Sequence, residues 1–224
     1  MRVPFRLFYV VLLGLLPLHR VCAAEQIIVS GGSALRYFEH SKKASHDKYW
    51  GNFIDAAVAR YPQIKSEIKP GDQFTWLVYR PSYLQRGKEE QTDLLAAIQS
   101  KADSIHARLL WFDSKESLIR YLNEGQNRRE VKISRFEYFG HSNMRCFMFD
   151  YSNLLDGAGP DYGLLHENDL KKIHRDIFSP DAYSRSWGCH SGEEYSAVWL
   201  RSFGIPMVGA IGKTDYSNGG LPIL

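Results

Sequence analysis

Short runs of β-branched, aromatic and aliphatic residues alternate with longer amphipathic stretches along most of the chain. The strand-like runs are residues 26–30, 74–79, 107–112, 133–139, 182–187 and 207–211. The helix-like stretches, with apolar residues at helical spacing, are residues 47–61, 91–102, 114–124, 168–178 and 193–203. Strands that alternate with helices are typical of a mainly parallel sheet covered on both faces. The pattern predicts an α/β fold, a three-layer αβα sandwich.

Boundary residues predict where two of these helices begin or end. Pro62 follows the first helix-like stretch and predicts its end, because proline interrupts the helical hydrogen-bond ladder. Asp113, with Glu116 three residues later, has the spacing of a capping box and predicts the start of another helix, which Gly125 ends.

The first 24 residues read as an export signal. Arg2 and Arg6 precede an apolar run over residues 8–18, and small residues follow at Ala23 and Ala24. The run is about half the roughly 20 residues that a membrane-spanning helix needs. We therefore predict a signal peptide over residues 1–24 and one domain over residues 25–224, secreted or periplasmic, with no membrane span left after cleavage. Cleavage after Ala23 is the alternative.

Charge argues against nucleic acid as a partner. The chain has 28 Lys and Arg against 25 Asp and Glu, and the signal contains three of the arginines and no acid. The remaining chain is thus nearly neutral, and it has no clustered basic face of the kind that nucleic-acid binding requires. About 200 residues suffice for a single buried core.

Two glycine-containing motifs follow strand-like runs and bring reactive side chains to their ends. Gly140-His141-Ser142-Asn143 follows residues 133–139, and Gly188-Cys189-His190-Ser191-Gly192 follows residues 182–187. In open parallel sheets functional groups gather at the carboxyl ends of strands. A cysteine needs a base or a cationic neighbour to act as a nucleophile near neutral pH. The motifs therefore predict a catalytic pair of Cys189 and His141.

The surroundings of Cys189 fit acyl transfer. It lies just before the helix predicted to begin near Gly192, and the partial positive charge of a helix N-terminus favours a thiolate. The N–H of Cys189 would help to hold the oxyanion of the intermediate. His141 would polarise the thiol or protonate the leaving amine.

Other interpretations of the same residues stay open. His190 is an alternative base, and a Cys146–Cys189 disulfide would remove the nucleophile. A zinc site is conceivable from His141, Cys146, Cys189 and His190, although no Cys-x-x-Cys or His-Glu-x-x-His spacing supports it. A calcium site is conceivable from Asp150, Asp156 and Asp161, but solvated loop acids are the simpler interpretation. We predict no metal and no cofactor.

The two motifs resemble those of the caspase–gingipain–legumain clan of cysteine peptidases. In that clan a His-Gly motif ends one strand and an Ala/Gly-Cys motif followed by Gly ends the next. The separation of 48 positions between His141 and Cys189 is close to the caspase spacing. Residues 168–170 and 206–217 resemble segments of gingipain-like and CHAT members. The resemblance covers roughly residues 27–217 and implies a caspase-like fold.

The resemblance also implies roles. Cys189 would be the nucleophile and His141 the base, with an oxyanion hole formed by the N–H groups of Cys189 and Ser142. Ser142 stands where the clan usually has glycine. Gly188, Thr214 and Asp215 would border the substrate cleft, where Asp215 and Glu193 would favour a basic substrate residue.

The function implied is an exported cysteine endopeptidase that cuts peptide or protein substrates through an acyl-enzyme intermediate. Two alternatives belong to other classes. One is an inactive caspase-like module that binds a peptide or protein partner, for which the substitution at Ser142 is the motive. The other is a related Cys/His acyl hydrolase or transferase that acts on a non-peptide substrate.

Overall fold

The computed structural model describes residues 23–33, 45–150 and 163–222. Within these ranges the strands are β1 (Ala24–Ser30), β2 (Gln73–Tyr79), β3 (Arg108–Phe112), β4 (Lys132–Phe139), β5 (His141–Ser142), β6 (Cys146–Met148), β7 (Leu164–His166), β8 (Phe178–Ser186) and β9 (Met207–Val208). The α-helices are α1 (Asn52–Glu67), α2 (Arg80–Glu90), α3 (Leu94–Ser104), α4 (Lys115–Glu124) and α5 (Glu194–Phe203).

Six strands form one all-parallel sheet in the order β3-β2-β1-β4-β8-β9. One apolar cluster joins residues of α1, α2 and α3 to one face of this sheet. A second joins α4, α5 and the small antiparallel sheet β5-β6-β7 to the other face. The predicted α/β three-layer sandwich with a mainly parallel sheet is confirmed, and it is compatible with a caspase-like architecture.

The strand order reverses at the centre of the sheet. The chain runs outward from β1 through β2 to β3, then returns to β4 on the other side of β1 and continues through β8 to β9. Such a switch point opens a crevice at the carboxyl ends of the central strands. Gly31 follows β1 here and donates its N–H to the carbonyl of Phe139 (2.8 Å), so the two loops leave the sheet side by side.

Pro62 does not end the first helix, contrary to the prediction. It lies inside α1, which continues to Glu67. The turn after Pro62 carries Ile64, which is fully buried in the core, and burial of a large aliphatic side chain offsets the loss of one helical hydrogen bond.

The cap of α4 is Ser114 and not Asp113. The Ser114 hydroxyl accepts the N–H of Ser117, and the Ser117 hydroxyl accepts the N–H of Ser114 in return. Asp113 instead pairs with Arg80, at the start of α2. A serine pair thus supplies the capping box that the sequence suggested for Asp113 and Glu116.

Two further helix predictions need correction. The stretch predicted as a helix over residues 168–178 forms two short 3-10 segments, Glu167–Lys172 and Arg175–Ile177, separated where Ile173 adopts an extended conformation. Helix α2 was not predicted, because Pro81 suggested only the end of a strand. Proline in the first turn is in fact typical of a helix start.

The predicted signal falls largely on residues outside those described. Ala24, which the prediction placed last in the signal, is the first residue of β1, and its N–H donates to Asp72 Oδ1 (2.9 Å). Within the described ranges no helix is both long and apolar enough to cross a bilayer. The possible calcium ligands Asp156 and Asp161 lie outside the described residues.

Candidate active site

The His141 and Cys189 loops leave the sheet next to each other. Strands β4 and β8 are paired in parallel with Tyr138 beside Ser186, and both reactive residues come three positions later. The N–H of Trp187 continues the ladder to the carbonyl of Tyr138 (2.8 Å). Both reactive residues are partly buried. The predicted pair therefore lies at the carboxyl ends of the neighbouring strands β4 and β8, and β4 borders the switch point.

Ser142 joins the two loops directly. Its hydroxyl donates a 2.6 Å hydrogen bond to the backbone carbonyl of Cys189. The side chain occupies the space beside Gly188, where an added Cβ would overlap the Ser142 hydroxyl and lie 2.9 Å from the Gly140 carbonyl. Ser142 thus packs against the turn that carries Cys189 and requires glycine at position 188.

The pairing of β5 with β6 also fixes the direction of the Ser142 N–H. Strands β5 and β6 are antiparallel, and the N–H of Asn143 donates to the carbonyl of Cys146 (3.1 Å). Successive N–H groups in an antiparallel ladder point to opposite sides. The N–H of Ser142 therefore points away from β6.

The sulfur of Cys189 contacts a residue from a distant loop. The N–H of Thr214 donates to Cys189 Sγ at 3.4 Å, and the Thr214 hydroxyl lies 3.4 Å from the same sulfur, where either atom can be the donor. Thr214 thus contacts the sulfur through both its backbone and its side chain. Thr214 was predicted only to border the substrate cleft, and the sequence carries no signal for this contact.

Removal of the Thr214 hydroxyl should slow the reaction of Cys189 with alkylating reagents. We expect Thr214→Val, which keeps the branched shape, to reduce the iodoacetamide rate at pH 7 about fivefold, the value of one hydrogen bond of about 1 kcal/mol. Thr214→Ser keeps the hydroxyl and should stay within about twofold of the unmodified protein. Equal rates for both variants would show that the hydroxyl does not act on the sulfur.

The loop that carries Thr214 is fastened to the turn after Cys189. The N–H of His190 donates to the Gly212 carbonyl (2.6 Å), and the N–H of Gly192 donates to the Ala210 carbonyl (2.8 Å). Glu193 completes the connection, because its carboxylate accepts the N–H of Gly212 (3.0 Å). These bonds join the turn, which directly precedes the start of helix α5 at Glu194, to residues 210–212.

The start of α5 agrees closely with the prediction. The helix was predicted to begin near Gly192, and it begins at Glu194 with Glu193 as its N-cap. Cys189 lies five residues before Glu194, in the turn that precedes the helix.

His190, the alternative base, points to a different partner. Its Nδ1 lies 2.8 Å from a Glu193 oxygen, and its backbone is in the left-handed region at a φ of 59°. The backbone N–H of Gly212 and the ring of His190 lower the pKa of Glu193. The pair thus stays engaged within the turn, which leaves Glu193 poorly placed to select a basic substrate residue.

Aromatic rings surround His141. Phe53 of α1 meets the His141 ring edge-on at 4.9 Å between centroids, and Tyr216 packs on the same phenylalanine at 5.1 Å. The buried Tyr138 hydroxyl donates to the His141 carbonyl (2.8 Å). Burial raises the pKa of Tyr216 well above its usual value, so its hydroxyl stays protonated and donates to the Trp187 carbonyl (2.9 Å). Sequence patterns did not indicate Phe53 or Tyr216.

Asp215 is exposed beside Thr214 and is occupied by its own turn. Its carboxylate accepts the N–H of Ser217 (2.8 Å). The backbone and side chain of Ser217 lower the pKa of Asp215, which therefore carries its charge at neutral pH.

Cys146 and Cys189 both have free thiols in the structure. The Cys146 sulfur lies 3.3 Å from Asn143 Oδ1. Among the described residues no group of three His, Cys, Asp or Glu side chains is arranged to hold a metal ion.

Comparison of the chain with protein-family models, with curated proteins and with solved structures finds no match.

Proposed function

We propose that the chain is an exported cysteine peptidase. The observation that carries the proposal is the contact of the Cys189 sulfur with the N–H and the hydroxyl of Thr214, at the point where the strand of Cys189 leaves the sheet beside the strand of His141. A thiol arranged in this way suits nucleophilic attack on a carbonyl carbon.

The proposed reaction has two steps. Cys189 Sγ bonds to the carbonyl carbon of a peptide, and its proton passes through His141 to the amine that leaves when the C–N bond breaks. Water then adds to the thioester, releases the acid and returns the proton to the sulfur. The N–H groups of Cys189 and Ser142 would hold the oxyanion in both steps.

Ser142 bears on the choice between an enzyme and an inactive binding module. The inactive alternative would hold if the Ser142 side chain pointed into the position of the oxyanion. Its hydroxyl instead bonds to the Cys189 carbonyl, and the ladder geometry directs its N–H away from β6. This arrangement favours the enzyme, and we retain peptide bonds as the proposed substrate.

Cysteine mapping tests the proposal. We expect an iodoacetamide-type probe, applied without reductant, to modify Cys189 before Cys146 at pH 6. His141→Ala should slow this modification, whereas the matched control His190→Ala should change it little. Peptide-pool hydrolysis should disappear after modification. A Cys146–Cys189 disulfide, or labelling that depends on His190 and not on His141, would contradict the proposal.

A further inference from the structure

Arg185 on β8 has a buried donor that meets no acceptor among the described residues. Its guanidinium carbon lies 3.7 Å from the centre of the Trp187 ring, and its Nη1 donates to the Tyr183 hydroxyl at 3.4 Å. The buried Nε has no partner in the part of the chain that the structure describes. Arginine stays charged in proteins, and an unmet buried donor carries the full cost of its lost hydration.

The neighbouring acids are already engaged. Glu137, beside Arg185 in the sheet, accepts hydrogen bonds from Arg60, Arg135 and Trp187. Glu67 pairs with Arg135. Three guanidinium groups therefore face two carboxylates, and within the described ranges no carboxylate pairs with Arg185. The cluster has one uncompensated positive charge.

This charge lies where the sheet is open. Val208, the partner of Arg185 on β9, lies on the same face and is 46% exposed, and Ile211 further along is 84% exposed. Helix α1 packs against β1 and β4 on that face. Helix α5 packs on the opposite face, where its Trp199 meets Phe136 (5.0 Å between centroids).

We propose that Arg185 binds the carboxylate of an acidic residue in a peptide substrate. The planar fork of a guanidinium matches a carboxylate, and one excess charge suits a monoanion better than a doubly charged phosphate. Arg185 lies next to the end of β8 and precedes Cys189 by four residues. Four residues span at most about 13–14 Å when they are fully extended. An acidic residue three or four positions from the cleaved bond spans that distance. The inference rests on the proposed function, because it names a preference of that site.

The test measures binding without catalysis. In ¹⁵N-labelled Cys189→Ala protein, the Arg185 Nε–Hε resonance is identified by its loss in Arg185→Lys. Acetylated tetra-alanine amides with one Glu are added, and the same peptides with Gln serve as the neutral probe. We expect the Glu peptides to shift this resonance and to bind about tenfold more tightly than the Gln peptides.

Two substitutions complete the design. Arg185→Met should remove the preference for Glu, whereas Arg201→Met, which removes an exposed arginine from α5, should keep it. If Arg185→Met does not fold, Arg185→Lys should weaken the preference by loss of the fork. Equal binding of the Glu and Gln peptides by the protein with Arg185 would overturn the inference. So would a preference for Glu that is unchanged in the position 185 variants. Hydrolysis by the Cys189 protein is scored separately, so each proposal can fail alone.

Discussion

Gly188→Ala is expected to slow both the alkylation of Cys189 and peptide hydrolysis by about 100-fold, the effect of displacing reacting groups by about 1 Å. The added Cβ would overlap the Ser142 hydroxyl and lie 2.9 Å from the Gly140 carbonyl. Overpacking of this kind also costs about 1–3 kcal/mol of unfolding free energy. Alkylation rates and urea unfolding measure the two effects.

The paired substitution identifies the cause. Ser142→Gly in the Gly188→Ala background should recover part of the lost reactivity, because it removes the hydroxyl overlap but leaves the contact with the Gly140 carbonyl. Gly220→Ala is the matched control, since only the Asn218 side chain comes near the added carbon, at 3.9 Å. Independent, additive effects at positions 142 and 188 would show that the two loops do not meet as described.

Glu137→Gln is expected to lower the free energy of unfolding by about 3–5 kcal/mol, because it leaves buried guanidinium groups without their counter-charge. Glu137 is fully buried and ion-paired with Arg60 and Arg135. Asp113→Asn is the control. It breaks the half-exposed pair with Arg80, which should cost about 0–1 kcal/mol. Urea unfolding measures both free energies. If both variants lost only about 0–1 kcal/mol, Glu137 would not be the counter-charge of the buried guanidinium groups.

The same carboxylate gives stability a pH dependence. Burial alone raises the pKa of Glu137, but hydrogen bonds from Arg60 and Trp187 outweigh burial and hold its pKa below the ordinary 4.5. The stabilisation is therefore complete above pH 4.5 and is lost as pH falls through the lower pKa of the folded state. Glu137→Gln should flatten the pH dependence of unfolding in this acid range. An unchanged profile would assign the acid sensitivity to other groups.

The central sheet was predictable because its strands are marked by local runs of apolar residues. Ile27, Ile28 and Val29 lie buried in β1, and the aromatic run of β4 is buried in the same way, so apolar runs between helices were sufficient. Local patterns failed where tertiary contacts decide. Helix α1 continues past Pro62 because the following turn buries Ile64. The apolar spacing after residue 168 predicted an α-helix, but the segment is a 3-10 helix in which Asp169 pairs with Lys115 and Lys172.

The candidate site shows the same difference between local and tertiary information. His141 and Cys189 could be predicted as a reactive pair because each follows a strand-like run and a glycine. The hydroxyl of Ser142 meets Cys189 across 47 residues and that of Thr214 across 25, and neither contact has a spacing signature in the chain. The sequence therefore indicated the candidate reactive residues but not these contacts to Cys189.

The distance along the chain between Cys189 and Thr214 also sets an order of events. A polypeptide is made from its N-terminus, and Cys189 is synthesised 25 residues before Thr214, which contacts its sulfur. The sulfur makes this contact only after β9 has joined the sheet and the loop beyond it has closed over the turn. A nascent chain therefore carries Cys189 before the residue that contacts its sulfur has been made. If Thr214 acts on the sulfur as we propose, the thiol acquires its reactivity only with the completed fold.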